Sequence, residues 1–231
     1  MEVNYPFHVP EKLFIPRKYY AGFLLGNMYF CHGGVDSKNK ILGQFISINL
    51  DSFQWQDQKY VKGNKIALDP KVQFGPDENM FPEFCYGHKM CVVTYQRKFV
   101  KLDGLGLMDY GSESHFIQHE GAYMFGGVRG AKSSEFRLSN SVFRMSFGDK
   151  QVTPKWSELE TKGTPPVARY HHGMEYYPKA NMIIIFAGRK YADAIGRQRT
   201  AQEEFVSQIA CLRLDSLEWF EVKLKQEHDS I

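Results

Sequence analysis

The chain has 231 residues, 43% of them hydrophobic and 15% aromatic, which is enough for a sizeable core in one large domain or two small ones. A formal net charge of +3 is too small by itself to mark a nucleic-acid-binding protein, because that footprint needs basic residues gathered on one face. High aromatic content with 20 glycines suits many short strands and tight turns better than a helical bundle. Cys31, Cys85, Cys91 and Cys211 form no C-x-x-C pair and sit mostly inside apolar runs, so they read as reduced core residues. Met1 to Pro6 lack the charged and apolar regions of a secretory signal, and no glycosylation acceptor occurs. No apolar run reaches the roughly twenty residues that a membrane helix requires. These features predict a cytoplasmic protein with neither a nucleic-acid nor a membrane partner.

Residues 1–16 mix Pro6, Pro10 and aromatics without periodicity and read as a lead-in. A first unit, 17–60, opens with Tyr20 to Leu25, the turn pair Gly26-Asn27, and Met28 to Cys31, a hairpin that ends at Gly33-Gly34. A polar loop carrying Lys38 and Lys40 leads to a strand over Gln44 to Leu50. The turn Asp51-Ser52 then brings in Phe53-Gln54-Trp55. The last unit, 163–224, repeats this order. Its hairpin is Arg169 to Tyr177 and Met182 to Phe186, joined by Pro178-Lys179-Ala180-Asn181 and ending at Ala187-Gly188. A loop from Arg189 to Glu204, a strand from Phe205 to Leu214, the turn Asp215-Ser216 and Trp219 follow, with a tail at 225–231. Leu50-Asp51-Ser52-Phe53-Gln54-Trp55 matches Leu214-Asp215-Ser216-Leu217-Glu218-Trp219 position for position.

The middle unit admits two registers. In the first it runs over 114–162: Ser114 to Gln118 opens it, His119-Glu120-Gly121 turns, and Ala122 to Phe125 leads into Gly126-Gly127. The strands Ser139 to Phe147 and Lys155 to Leu159, the latter holding Trp156, complete it. Residues 61–113 are then an insertion with a half-unit hairpin, Tyr86 to Tyr95 against Lys98 to Leu102. In the second, Met90 to Tyr95 opens the unit and Lys98 to Gln118 is an inserted excursion. The short turn with Gly121, which copies the other hairpins, favours the first.

A period near 50 residues with four strands per unit is the pattern of propeller blades. The recurring landmarks resemble kelch repeats: Gly33, Gly34 and Trp55; Gly126, Gly127 and Trp156; Arg169, Gly188 and Trp219. The resemblance covers most of 17–222. It implies an all-β fold, a partial β-propeller of four-stranded antiparallel blades, in which these nine residues are structural. Arg17 and Tyr20 stand at the Arg and His positions of the first unit, the middle unit lacks a matching Arg, and Ala187 replaces the first glycine of the third. Propellers close with four to eight blades, so about three blades imply ring completion by further blades outside this chain. The resemblance also implies a non-enzymatic interaction scaffold in a larger cytoskeletal or ciliary assembly. The alternatives are a propeller enzyme of oxidase or isomerase type and a substrate-recognition module of a ubiquitin ligase.

No nucleophile elbow, P-loop or dinucleotide fingerprint occurs, and no catalytic residue or cofactor is assigned. On a strand, His115 and His119 would lie about 13 Å apart, too far to share an ion, so no metal site is expected there or with Cys85 and His88. Adjacent His171 and His172 would point to opposite faces of the opening strand. The loops after each second strand carry Lys38, Lys40, Arg129, Lys132, Arg137, Arg189, Lys190, Arg197 and Arg199, against Asp36, Glu135 and Asp193. They read either as an ordinary solvated surface or as a basic rim for an acidic protein partner, with Arg offering bidentate contacts to carboxylates.

Overall fold

The computed structural model describes residues 15–58, 61–62, 84–94, 99–102, 106–109, 119–131, 135–146, 154–191 and 202–223. Strands β1 (Ala21–Leu25), β2 (Met28–His32), β3 (Phe45–Asn49) and β4 (Trp55–Asp57) form one antiparallel sheet in chain order. Next come β5 (Val61–Lys62), β6 (Cys85–Tyr86), β7 (Lys89–Val93), β8 (Phe99–Leu102) and β9 (Gly106–Asp109). Beyond them lie β10 (Gly121–Phe125), β11 (Val128–Arg129), β12 (Arg137–Leu138), β13 (Val142–Ser146) and β14 (Lys155–Leu159). The middle sheet has the order β7-β10-β13-β14, with β5 added in parallel beside β14. The rest of the chain forms β15 (Gly173–Tyr177), β16 (Met182–Phe186), β17 (Arg189–Tyr191), β18 (Glu203–Phe205), β19 (Ile209–Arg213) and β20 (Glu218–Val222). The third sheet is β15-β16-β19-β20, again antiparallel throughout.

The opening strand of the middle sheet is β7, paired with β10 from Lys89↔Phe125 to Val93↔Gly121. This is the second of the two registers, and it corrects the preference for a unit starting at Ser114. Residues 110–118 lie outside those described. The half-unit hairpin is corrected as well, because Phe99–Leu102 pairs with Gly106–Asp109 and not with β7. Strand pairing was decided by burial: β7 supplies Met90 to one side and Cys91 and Val93 to the other, as a strand covered on both faces must.

The sheets stack face to face in chain order. Phe23, Phe30 and Phe45 of the first meet Met90, Met124, Phe143, Met145 and Trp156 of the second. The opposite face of the second, with Cys91, Tyr123, Phe125 and Val142, meets Met174, Ile183, Ile185, Leu212 and Trp219 of the third. Alternate residues of β7, β10 and β13 therefore enter different cores, the period-two consequence of the pleat. The four cysteines are buried and free of disulfides, and burial raises the Cys31 thiol to about 11 and Cys85 to about 12.

The turns repeat with the sheets. In the first sheet Asn27 Nδ2 donates to Asp51 at 2.5 Å and Leu50 N–H to the Asn27 carbonyl at 2.8 Å. In the third, Asn181 Nδ2 donates to Asp215 and Leu214 N–H to the Asn181 carbonyl at 3.0 Å. The shared Leu-Asp-Ser run is thus a cap on the preceding hairpin turn. Among the described residues no helix is long and apolar enough to cross a membrane.

Candidate functional site

Each sheet begins at a corner whose third residue has left-handed backbone: Tyr19 (φ 60°), Gly87 (φ 67°) and His171 (φ 54°). These line up Arg17, Cys85 and Arg169 as one position, and Tyr20, His88 and His172 as another. His171 and His172 therefore do not occupy a strand, as the sequence suggested; β15 starts after them, at Gly173.

The corners are tied to one another by the same two backbone bonds at both seams. Gly34 N–H donates to the Cys85 carbonyl at 2.9 Å, and Gly127 N–H to the Arg169 carbonyl at 2.8 Å. In return Gly87 N–H donates to the Tyr19 carbonyl at 2.8 Å, and His171 N–H to the Gly87 carbonyl at 2.7 Å. The approach explains the glycines: a Cβ on Gly33 would lie 2.2 Å from the Cys85 carbonyl oxygen, and one on Gly126 would lie 2.6 Å from that of Arg169. Side chains repeat across the seams too. His32 and His88 rings meet edge-on at 5.0 Å, and Phe125 and His172 at 5.3 Å. Trp156 meets Phe45 at 5.9 Å, and Trp219 meets Phe125 at 5.6 Å.

Arg17 and Arg169 do equivalent work. Arg17 donates to the carbonyls of Ile15 and Gly33, each at 3.1 Å, and to Gln44 Oε1 at 2.6 Å. Arg169 donates to the carbonyls of Val167 and Ala187 at 3.0 Å, to that of Gln208 at 3.1 Å, and to the Gln208 side chain. Burial lowers Arg169 to about 10. The planar fork clamps the loop after the second strand to the start of the third. Gln44 and Gln208, each one residue ahead of that strand, were visible in the sequence but not recognised as its partners.

The basic rim is changed by the structure. Arg129 is not a rim cation: its guanidinium is buried over the Phe143 ring at 4.6 Å, and burial depresses its pKa. It lies near Cys85 and His88, where the middle unit has no arginine of the Arg17 and Arg169 kind. Arg189 donates to Glu203 at 2.8 Å, and Lys190 pairs with Glu204 at 2.9 Å. Those carboxylates sit on β18 directly across from β17 and neutralise both cations. Lys38, Lys40 and Arg137 are exposed, the first two in a loop whose backbone N–H groups donate to Asp36 at 2.8 Å. Lys132, Arg197 and Arg199 lie outside the described residues, as does His115. Trp156 and Trp219 are buried, whereas Trp55 is half-buried; Gly33, Gly34, Gly126, Gly127 and Gly188 all take positive φ.

What the corners gather instead is an aromatic surface that the sequence reasoning missed. The Tyr19 ring packs tilted against His171 at 4.5 Å and lies 6.5 Å from Tyr86; Tyr86 lies 6.4 Å from both Tyr170 and Phe136. Tyr170 meets Tyr191 at 5.4 Å, and Lys18 and Arg189 lie over the Tyr19 and Phe205 rings at 5.3 and 5.2 Å. Tyr19 is 47% and Phe205 84% exposed. Tyr170 donates to Glu203, and this bond together with Arg189 holds the carboxylate below its ordinary range. Burial pushes the Tyr86 and Tyr170 hydroxyls up, and burial with Arg189 lowers His171. Among the described residues no group of three His, Cys, Asp or Glu side chains converges to hold a metal.

No family model matches the chain, and no curated protein matches its sequence. Among solved structures, one chain of a cryo-EM structure of RAG in complex with one melted RSS and one unmelted RSS is similar, with a TM-score of 0.53 at 15% identity. The likeness covers 91% of this chain and 52% of that one, so this chain spans about half the length of its structural neighbour. At that identity the likeness is one of fold, and function has to be argued from the surface itself.

Proposed function

We propose that the chain is a divergent kelch-type segment of a β-propeller that works as a non-enzymatic protein-interaction scaffold, and that it holds its partner on the aromatic surface around Tyr19, Tyr86 and Phe205. The repeated seam carries the propeller reading, since the same backbone bonds, glycines and ring contacts join the first sheet to the second and the second to the third. The surface carries the interaction reading. Tyr and Arg are the residue types that concentrate binding energy at interfaces, and a ring 84% exposed on a two-stranded ribbon presents apolar area at small entropic cost. A partner with an apolar or aromatic segment fits this surface better than a purely acidic one, because Glu203 and Glu204 already satisfy Arg189 and Lys190.

The test is quantitative capture of bound proteins on the immobilised chain. Tyr19→Ala and Phe205→Ala are expected to weaken the specific partners at least tenfold, while Lys38→Glu with Lys40→Glu leaves them within about twofold. The reverse pattern would restore the acidic-partner reading and sink the aromatic one.

A further inference from the structure

Each unit carries a small sheet at its corner. Lys18, Val35 and Ile41 are bridged in that order in the first unit, β6, β11 and β12 pair in the second, and Tyr170, β17 and β18 in the third. Ile41, Leu138 and Phe205 hold one position in these sheets, opposite the residue that follows the second glycine: Val35, Val128 and Arg189. Ile41 is 3% exposed and Phe205 84%. The outer strand at this position is an edge even where another unit follows, since β12 is the edge of its three strands.

The register of the third corner decides which backbone groups of β18 are open. Arg189 N–H donates to the Tyr170 carbonyl, and Tyr170 N–H to the Arg189 carbonyl, both at 2.9 Å. Arg189 therefore turns both backbone groups away from β18, and Phe205, directly opposite, exchanges no bond with it. Val206 N–H, one residue on, points inward and donates to the Gly188 carbonyl at 3.0 Å. Because the two kinds of pair alternate along an antiparallel ladder, Glu204 also points inward, while the N–H and carbonyl of Glu203 and Phe205 point outward. On that side they have no partner among the described residues, and all three residues of β18 are exposed.

Side chains alternate in the same way. Phe205 and Glu203 share a face with Arg189 and Tyr191, and Glu204 shares the other with Lys190. Edge strands are commonly blunted by lysine or proline. β18 has neither, and both of its ionic groups are carboxylates whose cations stand on β17, so an incoming strand meets acid first.

We propose that β18 takes its partner by strand addition: an extended segment pairs with the outer edge of Glu203–Phe205, setting an apolar or aromatic side chain opposite Phe205 and a lysine or arginine opposite Glu204. This rests on the aromatic-surface reading above and gives it a partner class and a direction of approach. Backbone bonds at Phe205 and Glu203 hold the segment, and the cross-strand pairs with Phe205 and Glu204 select its side chains.

The probe is a capped pentapeptide of alternating threonine and lysine around one central phenylalanine, mixed with the full chain. In amide hydrogen exchange followed by NMR, saturating peptide should slow the Phe205 amide about tenfold or more and leave the inward Glu204 amide within about twofold. Phe205→Pro removes the outward donor and no bond to β17, so it should weaken the peptide about tenfold or more beyond Phe205→Ala. The peptide N-methylated at its phenylalanine, or carrying glutamate in place of lysine, should not bind. An unprotected Phe205 amide, a proline variant no worse than the alanine one, or equal binding of the glutamate peptide would each overturn strand addition. Peptide binding that Tyr19→Ala abolishes while the Phe205 amide stays unprotected would overturn strand addition alone and leave the aromatic surface standing.

Discussion

Ala187 is the residue at which this protein departs most plainly from its own pattern. It holds φ 55° where the other two units have Gly33 at 67° and Gly126 at 71°. An L-residue in left-handed backbone costs roughly 1–2 kcal/mol, while glycine adds roughly 0.5–1 kcal/mol of unfolded-chain entropy. Ala187→Gly is therefore expected to stabilise the fold by about 0.5 kcal/mol, and its methyl is exposed, so no packing is lost. Gly126→Ala should do the opposite, at about 2 kcal/mol or more, because its Cβ would meet the Arg169 carbonyl at 2.6 Å. Urea midpoints of the two variants check both signs. The Arg169 carbonyl is fixed in turn by a side chain with four hydrogen bonds, so it has little freedom to retreat.

At the scale of the element, the closing strands of the second and third sheets are each anchored by a tryptophan laid on the preceding sheet, Trp156 on Phe45 and Trp219 on Phe125. Trp156→Ala and Trp219→Ala are each expected to cost about 3–5 kcal/mol in thermal or chemical unfolding. Trp55→Ala should cost less than half of that, since Trp55 is half-buried. Equal losses at all three would show that burial at the seam is not what these residues are for. The landmarks of these elements were legible because local backbone chemistry demands them: a double glycine at the tight approach, an Asp-Ser turn, a large ring at the end. The middle sheet was misjudged because its opening strand pairs with a partner almost thirty residues away, and Ser114 to Gln118 resembled a hairpin arm more locally. Cys85 in the arginine position removed the one signal that marks the start of that unit. The rim was misjudged for a similar reason. Glu203 and Glu204 lie at the far end of a long loop, and only the pairing of β17 with β18 brings them to Arg189 and Lys190.

For the whole molecule the seams set the response to acid. Burial lowers His32 and His172 to about 3, with Arg17 and Arg169 adding to the effect, and lowers His88 well below its ordinary value. In the unfolded chain these rings titrate near about 6.5. Between those values the unfolded state binds more protons, so stability is complete above about pH 6.5 and falls as the pH drops toward 3. Well below pH 6.5 each ring contributes a slope of about 1.4 kcal/mol per pH unit, so His32 and His172 together remove about 3 kcal/mol between pH 6.5 and 5. His32→Phe, which copies Phe125 at the equivalent place, should cut the slope by about one proton in urea titrations across that range; an unchanged slope would contradict it. Both seams loosen together, since each contains such a ring. The same arrangement gives the protein its own optical gauge. Trp156 sits in the seam between the first and second sheets, Trp219 in that between the second and third, and Trp55 on the outward face of the first. With two of the three replaced, the emission colour of the remaining indole reports the wetting of a single joint, so the order in which the stack comes apart can be read joint by joint.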